Sequence, residues 1–278
     1  MALINGVEIA YSDAGDGPAV IFLHETGATS ASWSEVIGEM TPGFRSIVYD
    51  RRGWGRSTAP EQYSRTTVTE QSQDAIKLLD HLEVDAAVVC GAGIGAVAAI
   101  DLALREPGRT VEALAVEPPL LALVAKATEG LSADVARVRK AAEDHGPAAA
   151  VDAYLGAELN HLGPEAGRLA ARETAGGGDG LEARRHPGSL FAEITAVPAW
   201  PLPLAELADA ETGIQLITGS TTPPVLLEAT RALAARVASL SHRELEGDPL
   251  SGGALAELIR RAAQPAEDPD TDSPTTSP

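Results

Sequence analysis

CGAGIGAVAAIDLALREP, residues 90–107, is the stretch that decides the fold. Its glycines, Gly91, Gly93 and Gly95, stand between two segments of different character. Ahead of them, Ala86 to Cys90 is a short apolar run rich in β-branched residues, which reads as a strand buried on both faces. Behind them, residues 94–106 are Ala-rich and end at Pro107, which reads as a helix. A buried strand joined to a helix by a tight glycine turn is the repeating unit of a parallel sheet with crossover helices. The same glycines invite comparison with the dinucleotide fingerprint Gly-x-Gly-x-x-Gly. Here the spacing is one residue short, so no nucleotide cofactor is expected. No His, Cys, Asp and Glu cluster has metal-ligand spacing either, and the chain reads as cofactor-independent.

Outward from this unit the pattern repeats. Ala19–Leu23 and Ser46–Tyr49 are buried-strand text, the second closed by Asp50. Leu3-Ile4 and Val7–Tyr11 straddle Asn5-Gly6, a pair that favours a type I′ hairpin turn. Residues 68–82 set Ile76, Leu79 and Leu82 at helical spacing, with Thr67 or Thr69 available as N-cap. Val111–Val116 is a further strand, stopped by Pro118-Pro119. Helical text then takes over (Ala133–Glu143, Pro147–Leu155, Pro164–Glu173), broken at Gly176-Gly177-Gly178. Strand text resumes at Ile214–Thr218, followed by a helix over Pro224–Arg236, a strand over Leu240–Leu245 and a last helix over Gly253–Ala263. The expected architecture is α/β, a mostly parallel, doubly wound sheet. A helical cap at 119–201 is inserted between core segments 1–118 and 202–264, and a disordered acidic tail follows at 265–278.

A chain of 278 residues has ample material for one large domain or two modest ones. Its 21 Lys+Arg against 40 Asp+Glu give a formal charge of −19, which repels phosphates and anionic lipids. Nucleic acid and membrane surfaces are therefore not expected partners. One cysteine, Cys90, excludes an internal disulfide framework and reads as an inert core thiol. The opening MALINGVEIAYSDAGDG lacks the basic region and apolar run of a signal peptide, and no stretch is apolar for long enough to span a membrane. A cytoplasmic location is expected; the oligomeric state is left open.

Three stretches together carry a family resemblance. IFLHETGATSASW, residues 21–33, looks like the strand and loop that supplies the oxyanion hole in the α/β-hydrolase superfamily, where it usually reads His-Gly-x. YDRRGWGRS, residues 49–57, is similar to that superfamily's Asp-x-Arg-Gly-x-Gly-x-Ser turn, and the glycine stretch occupies the place of its nucleophile elbow. The resemblance implies an α/β-hydrolase fold over nearly the whole ordered chain. It also marks departures. The elbow reads Gly-x-Ser-x-Gly in hydrolases of this fold. Here Gly93 takes the place of the serine and has no atom with which to form a covalent intermediate. The acid position reads Thr221, and the catalytic histidine position reads Asp248 after Gly247. By this alignment all three triad positions are replaced.

What the resemblance leaves in place is backbone. The amides of Thr26 and Ile94 would converge as an oxyanion hole beside a helix N-terminus, suited to an enolate, phenolate or carboxylate oxygen. Glu25, where the family has the glycine of its His-Gly pair, is either a general base or an ion-pair partner of Arg51, Arg52 or Arg56. Its neighbour His24 is either catalytic or a structural residue beneath the loop. Asp248 either accepts a proton or caps a turn before Pro249, and Glu117 sits either at an alternative seat for the acid or in a Glu-Pro-Pro hinge into the cap. Asp50 either activates water or anchors the following turn. Trp200, Phe191 and His186 are candidate contacts for a hydrophobic small molecule, which aromatic walls would suit.

Three functions fit these residues. The first is a non-hydrolytic, cofactor-independent enzyme of specialised metabolism that catalyses proton transfer, elimination, cyclisation or rearrangement on a hydrophobic small molecule. The second is a non-catalytic pseudo-hydrolase that binds a ligand or acts as a scaffold, as implied by a similarity to the N-myc downstream-regulated proteins. The third is a hydrolase in which a carboxylate activates water against an epoxide, lactone or C–C bond, with no covalent serine. The main expectation is the first.

Overall fold

A computed structural model describes residues 1–40, 42–155 and 179–264. The helix expected over Pro164–Glu173, the break at Gly176–Gly178 and the acidic tail at 265–278 lie outside the described residues. The strands are β1 (Ala2–Ile4), β2 (Val7–Ile9), β3 (Tyr11–Ala14), β4 (Ala19–Leu23), β5 (Arg45–Tyr49), β6 (Ala87–Ala92), β7 (Thr110–Val116), β8 (Gly213–Gly219) and β9 (Ser241–Leu245). The helices are α1 (Ser34–Met40), α2 (Val68–His81), α3 (Ile94–Arg105), α4 (Ala125–His145), α5 (Pro147–Leu155), α6 (Asp179–Arg185), α7 (Pro187–Glu193), α8 (Ala196–Ala199), α9 (Leu204–Ala208), α10 (Pro224–Arg236) and α11 (Gly253–Ala263).

The hairpin β1–β2 turns at Asn5 and Gly6, both in the left-handed region with φ 46° and 81°, as a type I′ turn requires. The run Val7–Tyr11, expected as one strand, is split. Ala10 gives its N–H to the Ser57 hydroxyl and its carbonyl to the Asp50 N–H, so the chain leaves the hairpin there and Tyr11 starts β3 in another sheet. That sheet has seven strands in the order β3-β5-β4-β6-β7-β8-β9. β3 is antiparallel to β5, and the rest are parallel.

Alternation along the central strands builds two apolar layers, as a doubly wound sheet demands. Val20 and Phe22 of β4 and Val88 and Cys90 of β6 join Trp33, Val36 of α1 and Leu255 and Ile259 of α11. Ile21 and Leu23 of β4 and Val89 of β6 join Leu78 and Leu79 of α2, Val97 and Ile100 of α3 and Leu233 of α10. Between β7 and β8 the chain departs into α4–α9. Helices α4–α7 with Leu121 and Ile194 gather an apolar cluster around Val138, Val151, Tyr154 and Leu190. It is joined by Trp54 from the loop after β5 and by Leu226 and Ala229 of α10, while Leu207 of α9 packs in a sheet layer. The helix expected at Ala133–Glu143 extends to Ala125–His145 because Ala127 and Val138 both bury against this cluster, and Gly130 does not interrupt it.

The chain passes from β4 outward to β5 and then returns to the other side of β4 as β6. The carboxyl ends of β4 and β6 therefore flank the point where the strand order reverses. Ligands of open α/β sheets bind at such points, which directs attention to the loop after β4 and the turn after β6.

Candidate active site

The turn after β6 is set by glycines. Gly93 caps α3 with φ 57° and ψ −125°, donates its N–H to the Val116 carbonyl at 3.1 Å, and accepts from the N–H groups of Ala96 and Val97. A Cβ on Gly91 would collide with the carbonyl of Gly95, and one on Gly95 with the carbonyl of Leu23. Without side chains there, the first turn of α3 lies directly against the end of β4. The buried residues Thr26 and Ile94 are thereby drawn to the same strand ends. Among the described residues neither backbone N–H has a hydrogen-bond partner, and the one at Ile94 carries the positive end of α3.

Two carboxylates leave the strands on either side. Leu23 pairs in register with Gly91, and Ala92 with Val116, so Glu25 follows β4 on one flank of the turn and Glu117 follows β7 on the other. Both are buried, with 1% and 2% of their surface exposed. Glu117 has φ 48°, a left-handed conformation that costs a non-glycine residue roughly 1–3 kcal/mol. Its N–H is tied to the Ile217 carbonyl at 2.8 Å. Its Oε1 accepts the Thr222 hydroxyl at 2.5 Å, while the same hydroxyl oxygen accepts the N–H of Gly219 at 2.6 Å. The position aligned with the acid, Thr221, is exposed and donates to the Gly247 carbonyl at 3.1 Å; it is Thr222, one residue on, that turns inward.

Two candidates from the sequence take the structural one of their two expected roles. His24 is fully buried; the Arg51 N–H donates to its Nε2 at 2.9 Å, which makes Nδ1 the donor to the Glu25 carbonyl at 2.8 Å. Burial, and then the neighbouring Arg51 charge, lower its pKa to about 3. A neutral imidazole with both nitrogens bound to backbone braces the loop and moves no proton. Asp248 is exposed; its Oδ1 accepts the Leu250 N–H at 2.9 Å and its carbonyl accepts from Ser251, so it caps the turn before α11. Asp50 anchors loops as well. Its Oδ1 accepts the N–H and hydroxyl of Ser30 and its Oδ2 the N–H of Arg56. Burial alone would raise its pKa, and these hydrogen bonds overcome that and lower it.

The three arginines of the turn after β5 are matched to other acids. Arg52 is bidentate on Asp74 and also meets Glu70, and Arg56 lies 3.8 Å from Asp50. Arg51 is paired with Glu193, the last residue of α7, with Nη1 to Oε1 at 2.5 Å and Nη2 to Oε2 at 3.2 Å. Trp54 Nε1 donates to Oε1 at 2.8 Å and the Thr26 hydroxyl to Oε2 at 2.9 Å. Burial alone would lower the Arg51 pKa; the Glu193 charge reverses this and raises it. Glu193 was missed in the sequence because its partners lie far away in the chain. The available signal was a lone carboxylate inside the apolar run Leu190–Val197.

The expected substrate contacts divide. Phe191 packs, partly buried, on the apolar cluster of the insertion. His186 lies 3.2 Å from Glu182 and meets the Trp54 ring edge-on at 6.3 Å. Trp200 is turned elsewhere. Its Nε1 donates to Asp101 at 3.0 Å, two turns along α3 from Gly93, and it lines an open cleft of about 580 Å³ with Thr69, Arg105, Pro201 and Glu206. Cys90 is buried, and burial raises its thiol pKa. Among the described residues no group of three or more His, Cys, Asp and Glu side chains could hold a metal ion, and no helix is long and apolar enough to cross a membrane.

This geometry can be set beside known proteins. A family model described as "Alpha/beta hydrolase family" matches residues 20–265. An epoxide hydrolase of Caballeronia sordidicola is 39% identical over 106 residues, which is 38% of this chain and 32% of that protein. A 3-oxoadipate enol-lactonase 2 of Acinetobacter baylyi is 34% identical over 94 residues, 34% of each chain. The chain thus spans about a third of the length of these curated relatives. The crystal structure of the enol-lactonase from Burkholderia xenovorans LB400 superposes with a TM-score of 0.70 at 20% identity, covering 94% of this chain and 98% of that one. The main expectation from the sequence, a non-hydrolytic enzyme, is overturned by these comparisons, since the similar proteins are named as hydrolases of epoxides and lactones. The chain belongs to the alpha/beta hydrolase family.

Proposed function

We propose that this chain hydrolyses a small cyclic ester by direct attack of water, with no covalent enzyme intermediate. The observation that carries the reading is Glu117. It is a buried carboxylate held in a left-handed conformation beside Gly93 and oriented by Thr222. In this reading the triad positions of the superfamily correspond to Gly93, Thr221 and Asp248, so the nucleophile has to be water. Glu117 takes a proton from that water as its oxygen attacks the carbonyl carbon. The carbonyl π electrons move onto oxygen, and the N–H groups of Thr26 and Ile94 stabilise the charge. Collapse of the tetrahedral intermediate breaks the ring C–O bond, and the departing alkoxide recovers the proton from Glu117 to give a hydroxy acid. Glu25, on the opposite flank, serves as a second acid-base group.

The relatives named as enol-lactonase and epoxide hydrolase support hydrolysis of a small electrophile. The pair of backbone donors favours the ester over the epoxide, because an amide pair suits a carbonyl oxyanion whereas an epoxide oxygen needs a proton donor. The insertion at 119–201 then acts as a cap over core segments 1–118 and 202–264, with Phe191 and His186 on its side of a site for a hydrophobic substrate. The test is turnover of a panel of γ- and δ-lactones with acyl tails, beside aryl epoxides, in ¹⁸O-water and after treatment with a serine-directed fluorophosphonate. The reading expects lactone opening with one labelled oxygen in the carboxylate and no effect of the fluorophosphonate. Absence of lactone turnover, or activity abolished by that reagent, would sink it.

A further inference from the structure

We propose that Glu193 is a positioning residue that makes the order of the loop after β4 depend on how the helical insertion sits on the sheet. Its catalytic meaning rests on the hydrolase reading; its structural content does not. Glu193 and Arg51 are 142 residues apart in sequence, and both side chains have no exposed surface. The carboxylate receives four donors, Arg51 Nη1 and Trp54 Nε1 on Oε1 and the Thr26 hydroxyl and Arg51 Nη2 on Oε2. Three of these donors belong to Arg51 and Trp54 of the loop after β5, and one to the loop after β4.

The consequence lies in what Arg51 and Thr26 hold. Arg51 Nε donates to the His24 carbonyl at 2.8 Å, and Thr26 is bound through its hydroxyl at 2.9 Å. One carboxylate from α7 therefore fixes both ends of the tripeptide His24-Glu25-Thr26, directly at Thr26 and through Arg51 at His24. That tripeptide carries the Glu25 carboxylate and one of the two oxyanion-hole amides. With the insertion seated, Arg51 and Glu193 are fully buried and their charges compensate each other. With α7 lifted, Arg51 would be a buried charge without its counter-ion, which proteins do not sustain, so the guanidinium must swing out to water and release the loop. The arrangement is a two-position device: closing the insertion over a substrate assembles the oxyanion hole, and opening it relaxes the loop.

Hydrogen-deuterium exchange of the full chain reads this without any substrate. Glu193→Gln should speed exchange of the segment 24–28 at least tenfold while the central strand 87–92 exchanges as in the native protein. Thr26→Val, which keeps the Arg51–Glu193 pair and removes only the hydroxyl tie, should speed the same segment by a smaller factor, about threefold. Exchange at 24–28 within a factor of 1.5 of native in Glu193→Gln, or a parallel rise at 87–92, would overturn the proposal. If Glu193→Gln fails to fold, Thr26→Val decides by the same two criteria. A chain that shows the exchange response yet opens no lactone would retain this coupling and lose only the catalytic reading.

Discussion

At Gly93 the backbone takes a conformation that glycine adopts freely and any other residue adopts under strain. Replacing Gly93 with Ser should therefore lower stability by about 1–3 kcal/mol, read as a fall in the urea midpoint at an unchanged slope. An unchanged or higher midpoint would show that the turn is not constrained as described. The same variant does not rebuild a triad. His242, the histidine of the last strand, has its Nε2 2.8 Å from the Thr218 hydroxyl oxygen, and Asp248 is committed to its own turn. Glu117 is the mirror case, a residue with a side chain in a position that favours glycine. Such strain persists where surrounding structure over-determines it, here through Ile217, Thr222 and the buried strand ends.

At the scale of elements, α7 ties the insertion to the loops after β4 and β5 through Glu193. Removing its carboxylate with Glu193→Ala takes the counter-ion from the buried Arg51, and should cost about 3–5 kcal/mol in urea unfolding. A loss below about 1 kcal/mol would mean that water replaces the carboxylate without penalty. The strands and long helices of the core were legible in the sequence because each buries both faces or one stripe, which leaves a period in the text. Ala19–Leu23 and Pro224–Arg236, for instance, begin and end where their apolar runs do. The short helices α7, α8 and α9 left no such period, and α1 was hidden in a loop text of Ser and Gly. At the site, the glycines of the turn and the carboxylates Glu25 and Glu117 could be found by position along the chain. The bracing role of His24 and the turn-capping role of Asp248 stood in the sequence beside their catalytic alternatives, and only the backbone partners, the Arg51 and Leu250 amides, decide between them.

Over the whole molecule, His24 couples the fold to pH. In the folded chain it takes up a proton only near pH 3, whereas an ordinary histidine does so near 6.5. Between those values the unfolded state binds more protons, so stability falls as the pH falls, by up to about 1.4 kcal/mol per pH unit from this group; above pH 6.5 its contribution is level. Asp50, whose folded pKa lies below its ordinary 3.8, adds to acid loss only at lower pH. Urea unfolding between pH 4.5 and 6.5 should therefore be steeper in pH for the native chain than for His24→Asn, by about 1 kcal/mol per unit. Equal slopes would show that His24 is protonated in the folded state. The charge of −19 bears on solubility rather than on the fold. The most direct test of the account is kcat for lactone opening by Glu117→Gln, a substitution that keeps the shape and the Thr222 contact and removes the base. A hundredfold or greater fall in kcat with KM within about threefold is predicted; a kcat equal to that of the native chain would contradict it.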